Sequence, residues 1–120
     1  MSETKRQKQV AGLINEELND IFLRMGLNMQ DGGMVSIASV KITPDLFEAR
    51  VYLSIFQVKD AQAVLVKFEE KNKEIRKELG KRVRHQLRSI PEIKFFIDDT
   101  LDYVFKIEEL FEKIKKEEEK

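Results

Sequence analysis

Several residue types that support common protein chemistry are absent or scarce in this chain of 120 residues. It has no cysteine, which excludes disulfides and thiolate metal sites and suits a reducing compartment. It has a single histidine, His85, so a histidine-based metal site is unsupported. No apolar run approaches the roughly 20 residues of a membrane span, and the first ten residues lack the apolar core of a signal peptide. We therefore expect a soluble, cytoplasmic protein.

Charge is abundant but unevenly distributed. The 22 basic and 22 acidic side chains cancel, which argues against bulk attraction of the whole chain to nucleic acid. Residues 71–88, however, carry eight basic and two acidic side chains, a local charge of +6. Residues 98–120 carry nine acidic and five basic ones, a local charge of −4. Because local field steers a charged partner, residues 71–88 (the basic segment) are the first candidate for binding a polyanion.

Hydrophobic periodicity predicts the first helix over residues 5–25. Thr4 and Gln7 have the spacing of a capping box, and Gly26 stands where a helix-ending glycine is expected. The apolar stripe of this helix consists of Val10, Leu13, Ile14, Leu18, Ile21, Phe22 and Met25.

Alternating apolar residues next predict a β-hairpin. In "VSIASVKIT" the apolar phase changes near Ala38 and Ser39, which indicates a bulge, and "TPDL" supplies a turn. In "FEARVYLSIF" the predicted core face carries Phe47, Ala49, Val51, Leu53 and Ile55. The opposite face of the same strand carries Tyr52 and Phe56.

A long helical stretch follows, with Asp60 as its N-cap and an end at Pro91. It is either one helix or two helices, and Gly80 is the candidate position for a break or kink. "EIKFFID" predicts a third strand, residues 100–116 a last helix and residues 117–120 a charged tail. This order predicts an α+β two-layer sandwich with a three-stranded sheet and a C-terminal helix. The element order resembles a KH fold of type II (α-β-β-α-α-β). We expect a single domain over residues 1–120, with its core in about 5–98.

No constellation of residues supports an enzyme. His85 and Ser89 are four positions apart, but nothing supplies a third catalytic member or an oxyanion hole. Asp98 and Asp99 are adjacent on a predicted strand and point to opposite faces, so they suit a helix N-terminus better than a metal. The glycines match neither a P-loop nor a dinucleotide fingerprint, and the Gly-x-x-Gly clamp of RNA-binding KH domains is missing. We expect no catalytic residue, metal, cofactor or small-molecule substrate.

The basic segment is the strongest functional signal. Steps of three and four along a helix place on one side Arg76, Lys77, Lys81, Arg84 and Arg88. Such a row can contact successive phosphates of RNA while the apolar side of the helix packs on the sheet. The alternative is a solvated face that acidic neighbours partly neutralise.

A second mode of RNA binding would use the open face of the sheet. Tyr52, Phe56 and Phe96 lie on the predicted outer face with Lys94 nearby, and such rings can stack bases. The alternative is that the last helix covers them through Phe105 or Phe111. We prefer the alternative, since exposed aromatic rings are costly without a use.

Three stretches of the chain, within about residues 6–114, resemble the ribosome-binding factor A family of bacterial small-subunit assembly factors. The first, "VSIASVKITPDLFEARVYLSIF", carries Val40, Asp45, Leu46, Ala49, Tyr52 and Ser54. The second, "IRKELGKRVRHQLRSIPEIKFFID", carries Arg76, Leu79, Gly80, Arg88, Pro91, Glu92, Phe95 and Asp98. The third is "DDTLDYVFKIEELFEKI". The family replaces the KH clamp by a helix-kink-helix with a small residue, any residue, then glycine, of which this chain keeps only Gly80.

The resemblance implies a KH-like protein, not an enzyme, that binds the free small (30S) ribosomal subunit and its 16S rRNA. Family members assist late maturation and 5′-end processing of the rRNA and support growth in the cold. We expect a monomer. The expected RNA-binding residues are Arg76, Lys77, Lys81, Arg82, Arg84, Arg88, Lys41, Lys5, Arg6 and Lys8. The alternative is a protein-interaction module that uses the apolar stripe of the C-terminal helix without direct RNA binding.

Overall fold

The computed structural model describes residues 3–30 and 32–98. Within them, three helices and four strands follow in the order α1-β1-β2-β3-α2-α3-β4. Their bounds are α1 Lys5–Met25, β1 Met29–Gln30, β2 Gly33–Ile42, β3 Glu48–Phe56, α2 Ala61–Glu70, α3 Asn72–Val83 and β4 Glu92–Ile97. The predicted C-terminal helix and charged tail lie outside the described residues.

Helix α1 begins and ends where the sequence predicts. The Thr4 hydroxyl accepts a hydrogen bond from the Gln7 backbone N–H at 3.1 Å, and the Gln7 side chain accepts one from the Thr4 backbone N–H at 2.8 Å. This reciprocal pair satisfies two amides that have no partner inside the helix. At the other end Gly26 adopts φ 71°, the left-handed conformation that glycine reaches without strain. The capping-box and C′-glycine predictions are both confirmed.

The sheet has strand order β1-β2-β3-β4, so the prediction of three strands is wrong by one. The extra strand, β1, is two residues long and pairs antiparallel with the start of β2 across a turn that contains Gly32. Such a short strand shows no alternation that a sequence pattern could reveal. Strands β2 and β3 pair antiparallel with a register shift between Ile37 and Ser39, which confirms the predicted bulge. Strand β4 pairs parallel to β3 and forms the other edge.

All three helices pack on one face of the sheet and share one hydrophobic core with it. At its centre the rings of Phe22 from α1, Phe68 from α2 and Phe95 from β4 meet with centroids 5.0–6.2 Å apart. Such edge-on and tilted contacts suit the quadrupoles of aromatic rings. The predicted α+β two-layer arrangement is confirmed, and the second face of the sheet carries the outward-pointing residues of β2, β3 and β4.

Phe47 does not join the core, contrary to the prediction. Its side chain is 66% exposed. The preceding residue, Leu46, has φ 64° and closes the Thr43–Leu46 turn, in which the Leu46 N–H donates to the Thr43 carbonyl. This turn precedes the first residue of β3, Glu48, so the strand alternation that would direct Phe47 inward has not yet begun.

The helical region forms two helices that meet at Lys71 and not at the candidate position Gly80. Helix α3 ends at Val83, well before Pro91, where the sequence predicted the end. Asp60 caps α2 through the Ala63 N–H at 3.1 Å, as predicted. Gly80 lies inside α3 and is accommodated there without a break. After Val83 the N–H groups of Gln86 and Leu87 both donate to its carbonyl, and this turn buries Leu87 and redirects the chain toward β4. Arg84 and Arg88 therefore lie beyond the helix and do not continue its row.

Candidate nucleic-acid interface

The basic segment divides between α3 and the turns that follow it. Lys73, Lys77 and Lys81 are exposed on α3, on the side away from its buried residues Ile75, Leu79 and Val83. Arg84 and Arg88 are exposed in the turns after the helix. Apart from an ion pair between Lys81 and Glu78 at 3.4 Å, no ion pair holds these five cations in the described residues. They are the cations of the segment that a phosphate can reach most easily.

Arg82 is occupied by α1. Its guanidinium donates to the Asp20 carboxylate at 2.6 Å and to Glu17 at 3.3 Å, and only 25% of its side chain is exposed. The hydrogen bond from Arg82, followed by the one from Arg24, lowers the pKa of Asp20 below its ordinary value. The hydrogen bond with Asp20 in turn raises the pKa of Arg82. Arg82 therefore joins α3 to α1, and we assign it a structural role alongside any contact with RNA.

Arg76 also makes contacts within the protein. Its guanidinium donates to the backbone carbonyls of Ile90 at 2.8 Å and Pro91 at 3.3 Å. Four residues earlier, the Asn72 side chain donates to the Ile93 carbonyl at 2.7 Å. These bonds attach α3 to the segment that enters β4. The sequence pattern identified Arg76 as a cation but gave no sign of this bracing role, nor of Asn72.

A groove of about 1010 Å³ separates α2 and α3 from β4. Its helix side carries Lys73, Arg76 and Lys77 with Glu69, and its floor includes Ile90, Ile93 and Phe95. Its β4 side carries Lys94 and Phe96 with Glu92. Four basic and two acidic side chains thus line the groove, which gives it a positive local charge suited to a strand of phosphates.

The remaining predicted residues form a separate group at the start of α1. Lys5, Arg6 and Lys8 are exposed on its first turns. Lys41, on β2, reaches this end of the molecule, where its ammonium lies 3.5 Å from the Glu3 carboxylate. Among the residues that the structure describes, no hydrogen bond or ion pair bridges this group and the basic segment.

The outer face of the sheet aligns side chains in rows across the strands. The register pairs Lys41 with Arg50 and Arg50 with Lys94, which we call the cation row. The next row contains Ser39, Tyr52 and Phe96, and the rings of Tyr52 and Phe96 (the aromatic pair) stack with centroids 5.3 Å and planes 25° apart. The prediction that these two rings share the outer face is confirmed. The contribution of Arg50 was missed, because the parallel register of β3 and β4 cannot be read from the sequence.

One carboxylate holds two members of the cation row. Glu48 accepts from Arg50 at 2.6 Å and from Lys94 at 2.9 Å. The hydrogen bond from Lys94, followed by the one from Arg50, lowers the pKa of Glu48, and Glu48 raises the pKa of both cations. All three groups therefore stay charged at neutral pH. Glu48 and Glu92 lie opposite each other in the row on the far side of the cation row from the aromatic pair.

The described residues contain no cluster of side chains of the kind that holds a metal ion. No group of three or more metal-ligating side chains occurs among residues 3–30 and 32–98. His85 and Ser89 are both exposed in the turns after α3, so the helix face on which they would have met does not exist. In the same part of the chain, no helix is long and apolar enough to cross a membrane.

Known proteins resemble this chain along most of its length. A sequence model of the family described as "Ribosome-binding factor A" matches residues 6–111. The ribosome-binding factor A of Cytophaga hutchinsonii is 42% identical over 120 residues, which cover 98% of this chain and 90% of that protein. The ribosome-binding factor A of Christiangramia forsetii is 38% identical over 109 residues, which cover 90% of this chain and 83% of that protein.

Solved structures share the fold at lower identity. The crystal structure of ribosome-binding factor A from Thermus thermophilus has a TM-score of 0.63 at 15% identity and covers 76% of this chain and 94% of that one. A homology model of the Thermus thermophilus factor, fitted into a cryo-EM map of its complex with the 30S subunit, has a TM-score of 0.55 at 17% identity, with coverage of 81% and 96%. The family match and the two close relatives confirm the resemblance seen in the sequence: this chain belongs to the ribosome-binding factor A family.

Proposed function

We propose that this protein binds the free small ribosomal subunit through its 16S rRNA and assists late maturation of that RNA, including processing of its 5′ end. Through this role it supports growth in the cold. Family membership carries the proposal. The factor of Thermus thermophilus, whose homology model was fitted into the map of a 30S complex, supports the choice of partner. The exposed cations of the basic segment supply the chemistry that such a partner requires.

The exposed cations of the basic segment are the ones that contact RNA in this proposal. Lys73, Lys77 and Lys81 on α3, with Arg84 and Arg88 after it, are exposed and contact the phosphate backbone. Backbone contacts of this kind supply affinity and position without reading sequence, so the shape of the RNA supplies the specificity. Lys5, Arg6, Lys8 and Lys41 extend the contact to a second patch at the start of α1.

Charge reversal after α3 tests this placement. Arg84→Glu combined with Arg88→Glu should abolish co-sedimentation with free small subunits in a sucrose gradient, because both residues are exposed and both contacts become repulsive. The same variant should fail to restore 5′-end processing of the rRNA at low temperature in a strain that lacks the protein. Neither residue lies in a helix or in the core, so the fold should persist.

A matched variant separates a local effect from a change in total charge. Lys59→Glu combined with Gln57→Glu and Gln62→Glu makes the same charge change at exposed positions just before and on α2. This control should sediment with small subunits like the wild type. Circular dichroism and thermal unfolding verify that both variants are folded. Unchanged co-sedimentation of a folded Arg84→Glu, Arg88→Glu variant would exclude the turns after α3 as the contact.

A further inference from the structure

The aromatic pair occupies an unusual position for two rings on the surface of a sheet. Phe96 is 39% exposed on the edge strand β4, and Tyr52 lies directly behind it on β3 at a centroid distance of 5.3 Å. Phe96 also lines the groove between β4 and the helices. One face of the Phe96 ring is thus backed by a second ring, and the residue stands where the groove meets the open sheet.

The cation row beside this pair breaks a rule of sheet stability. Like charges directly opposite each other on neighbouring strands destabilise a sheet, yet the register places Lys41, Arg50 and Lys94 side by side. Glu48 offsets two of these charges and Glu3 the third. Violations of a local rule concentrate at functional sites, and the three cations remain donors that a phosphate can share with these carboxylates.

The cation row lies between the aromatic pair and a row of carboxylates on the outer face of the sheet. Along the strands, the carboxylates of Glu48 and Glu92 come first, the cation row second and the aromatic pair third. Successive rows on one face are about 7 Å apart. A phosphate attached to a base on the aromatic pair would therefore meet cations before carboxylates.

We propose that the aromatic pair stacks an unpaired base of RNA and that Arg50 and Lys94 contact a phosphate next to that base. The proposal rests on the RNA binding proposed above and adds the class of RNA that is recognised. The ligand is a single-stranded segment, since a paired base is already stacked within its helix and has no free face to offer. The segment leaves the groove past Phe96 and turns onto the sheet.

The features around the pair favour RNA over a protein partner. An apolar protein surface would gain little from a row of three cations, which it would have to desolvate. A base with its phosphate uses both the rings and the cations. Continuity with the groove, which carries four basic side chains, also places the pair at the edge of a surface with a positive local charge.

Two measurements test the proposal on the full-length chain. The chain has two tyrosines and no tryptophan, so Tyr103→Phe leaves Tyr52 as the sole fluorescent reporter. Adding oligouridylate should quench this fluorescence to saturation, after correction for absorbance by the RNA. An abasic strand of equal length and charge should not quench it. The Tyr103→Phe variant keeps both rings of the aromatic pair. Absence of quenching at saturating oligouridylate would therefore overturn the proposal.

The second measurement is affinity for fluorescein-labelled oligouridylate, by fluorescence polarisation. Phe96→Ala should weaken binding roughly 5- to 150-fold, the factor expected for loss of one base–aromatic stack, and Phe96→Tyr should restore it. Phe47→Ala is the matched control, because Phe47 is a 66% exposed phenylalanine away from the pair, and it should bind like the wild type. Equal affinities for Phe96→Ala and wild type would overturn the proposal.

The outcomes distinguish this site from the function on which it rests. If wild type fails to sediment with small subunits, the proposed function is wrong, whereas the two oligonucleotide tests report on the stacking site alone. If Phe96→Ala lowers co-sedimentation but leaves oligouridylate affinity unchanged, the pair contacts a ribosomal protein and the stacking proposal is wrong. If quenching appears only after Phe105→Ala and Phe111→Ala, the chain's own C-terminal segment covers the pair, which also overturns it.

Discussion

Gln7 shows how one side chain connects the helix layer to the sheet. It closes the capping box of α1 and also donates from its side-chain amide to the Ile42 carbonyl at the end of β2, at 2.8 Å. The residue is only 6% exposed. Removing this side-chain amide leaves the buried Ile42 carbonyl without its hydrogen-bond donor. An unsatisfied buried group costs more free energy than an average hydrogen bond contributes.

We therefore expect Gln7→Ala to destabilise the protein by about 1–3 kcal/mol. Urea denaturation followed by circular dichroism measures the change in the free energy of unfolding. Gln9→Ala is the control on the same helix, since Gln9 is exposed and should change stability by less than about 0.5 kcal/mol. A Gln7→Ala variant as stable as Gln9→Ala would show that the bond to Ile42 contributes nothing.

Single residues also mark the limit of the sequence patterns at this scale. The capping residues Thr4, Gln7 and Asp60 were predictable because their chemistry acts within four positions along the chain. The exposure of Phe47 was not, because it depends on the positive φ of Leu46, a residue type that rarely adopts that conformation. Likewise, the contacts of Arg76 and Arg82 join residues that are far apart in sequence.

At the scale of elements, α3 contains a glycine that contributes nothing to its shape. Gly80 lies within the helix, and a Cβ added there would meet only Ile90, at an ordinary contact distance of 3.5 Å. Gly33, at the start of β2, is the opposite case. A Cβ there would collide with the Phe56 carbonyl oxygen and lie 2.6 Å from the Val58 side chain.

Alanine at these two positions should change stability in opposite directions. Gly80→Ala should stabilise the protein by about 0.5–1 kcal/mol, because alanine lowers the entropy lost on forming the helix. Gly33→Ala should destabilise it by about 1–3 kcal/mol through overpacking. Thermal and urea unfolding of both variants measure the difference. A destabilising Gly80→Ala would mean that α3 needs a flexible position at Gly80 after all.

The helix break is where element-scale prediction failed, and the reason is physical. Val64, Phe68, Ile75, Leu79 and Val83 keep a helical phase across Lys71, which is neither glycine nor proline. The break instead follows from tertiary contacts. Phe68 packs on the rings of Phe22 and Phe95, while Asn72 and Arg76 bond to the segment around β4. These partners lie elsewhere in the chain, so no local pattern records them.

At the scale of the whole molecule, net charge and binding surface are separate properties. The chain is neutral overall, yet its groove and the side of α3 around it are basic. The basic segment could be predicted from the sequence, because the local charge of a segment does not depend on where its helices end. The cation row could not be predicted from the sequence, because it depends on the parallel register between β3 and β4.

The proposed RNA binding should weaken steeply with salt. Plots of log affinity for rRNA fragments against log salt concentration should be linear, with a slope of about −0.7 to −0.9 per phosphate contacted. Lys77→Ala and Lys81→Ala should each reduce the steepness by about that amount, whereas Lys59→Ala should leave the slope unchanged. Affinity that survives high salt would instead favour the alternative of a protein-interaction module.

The parallel pairing of β3 with β4 also determines when the surface is completed during folding. Ile42 and Ala49 pair across a separation of seven positions, but Glu48 and Glu92 pair across 44. Closing the longer loop costs about 1.6 kcal/mol more in chain entropy, and contacts of long sequence separation form slowly. We expect the β2–β3 hairpin to form early and β4 to dock late. The groove and the aromatic pair then exist only in the fully folded chain, so RNA bound there stabilises that state alone.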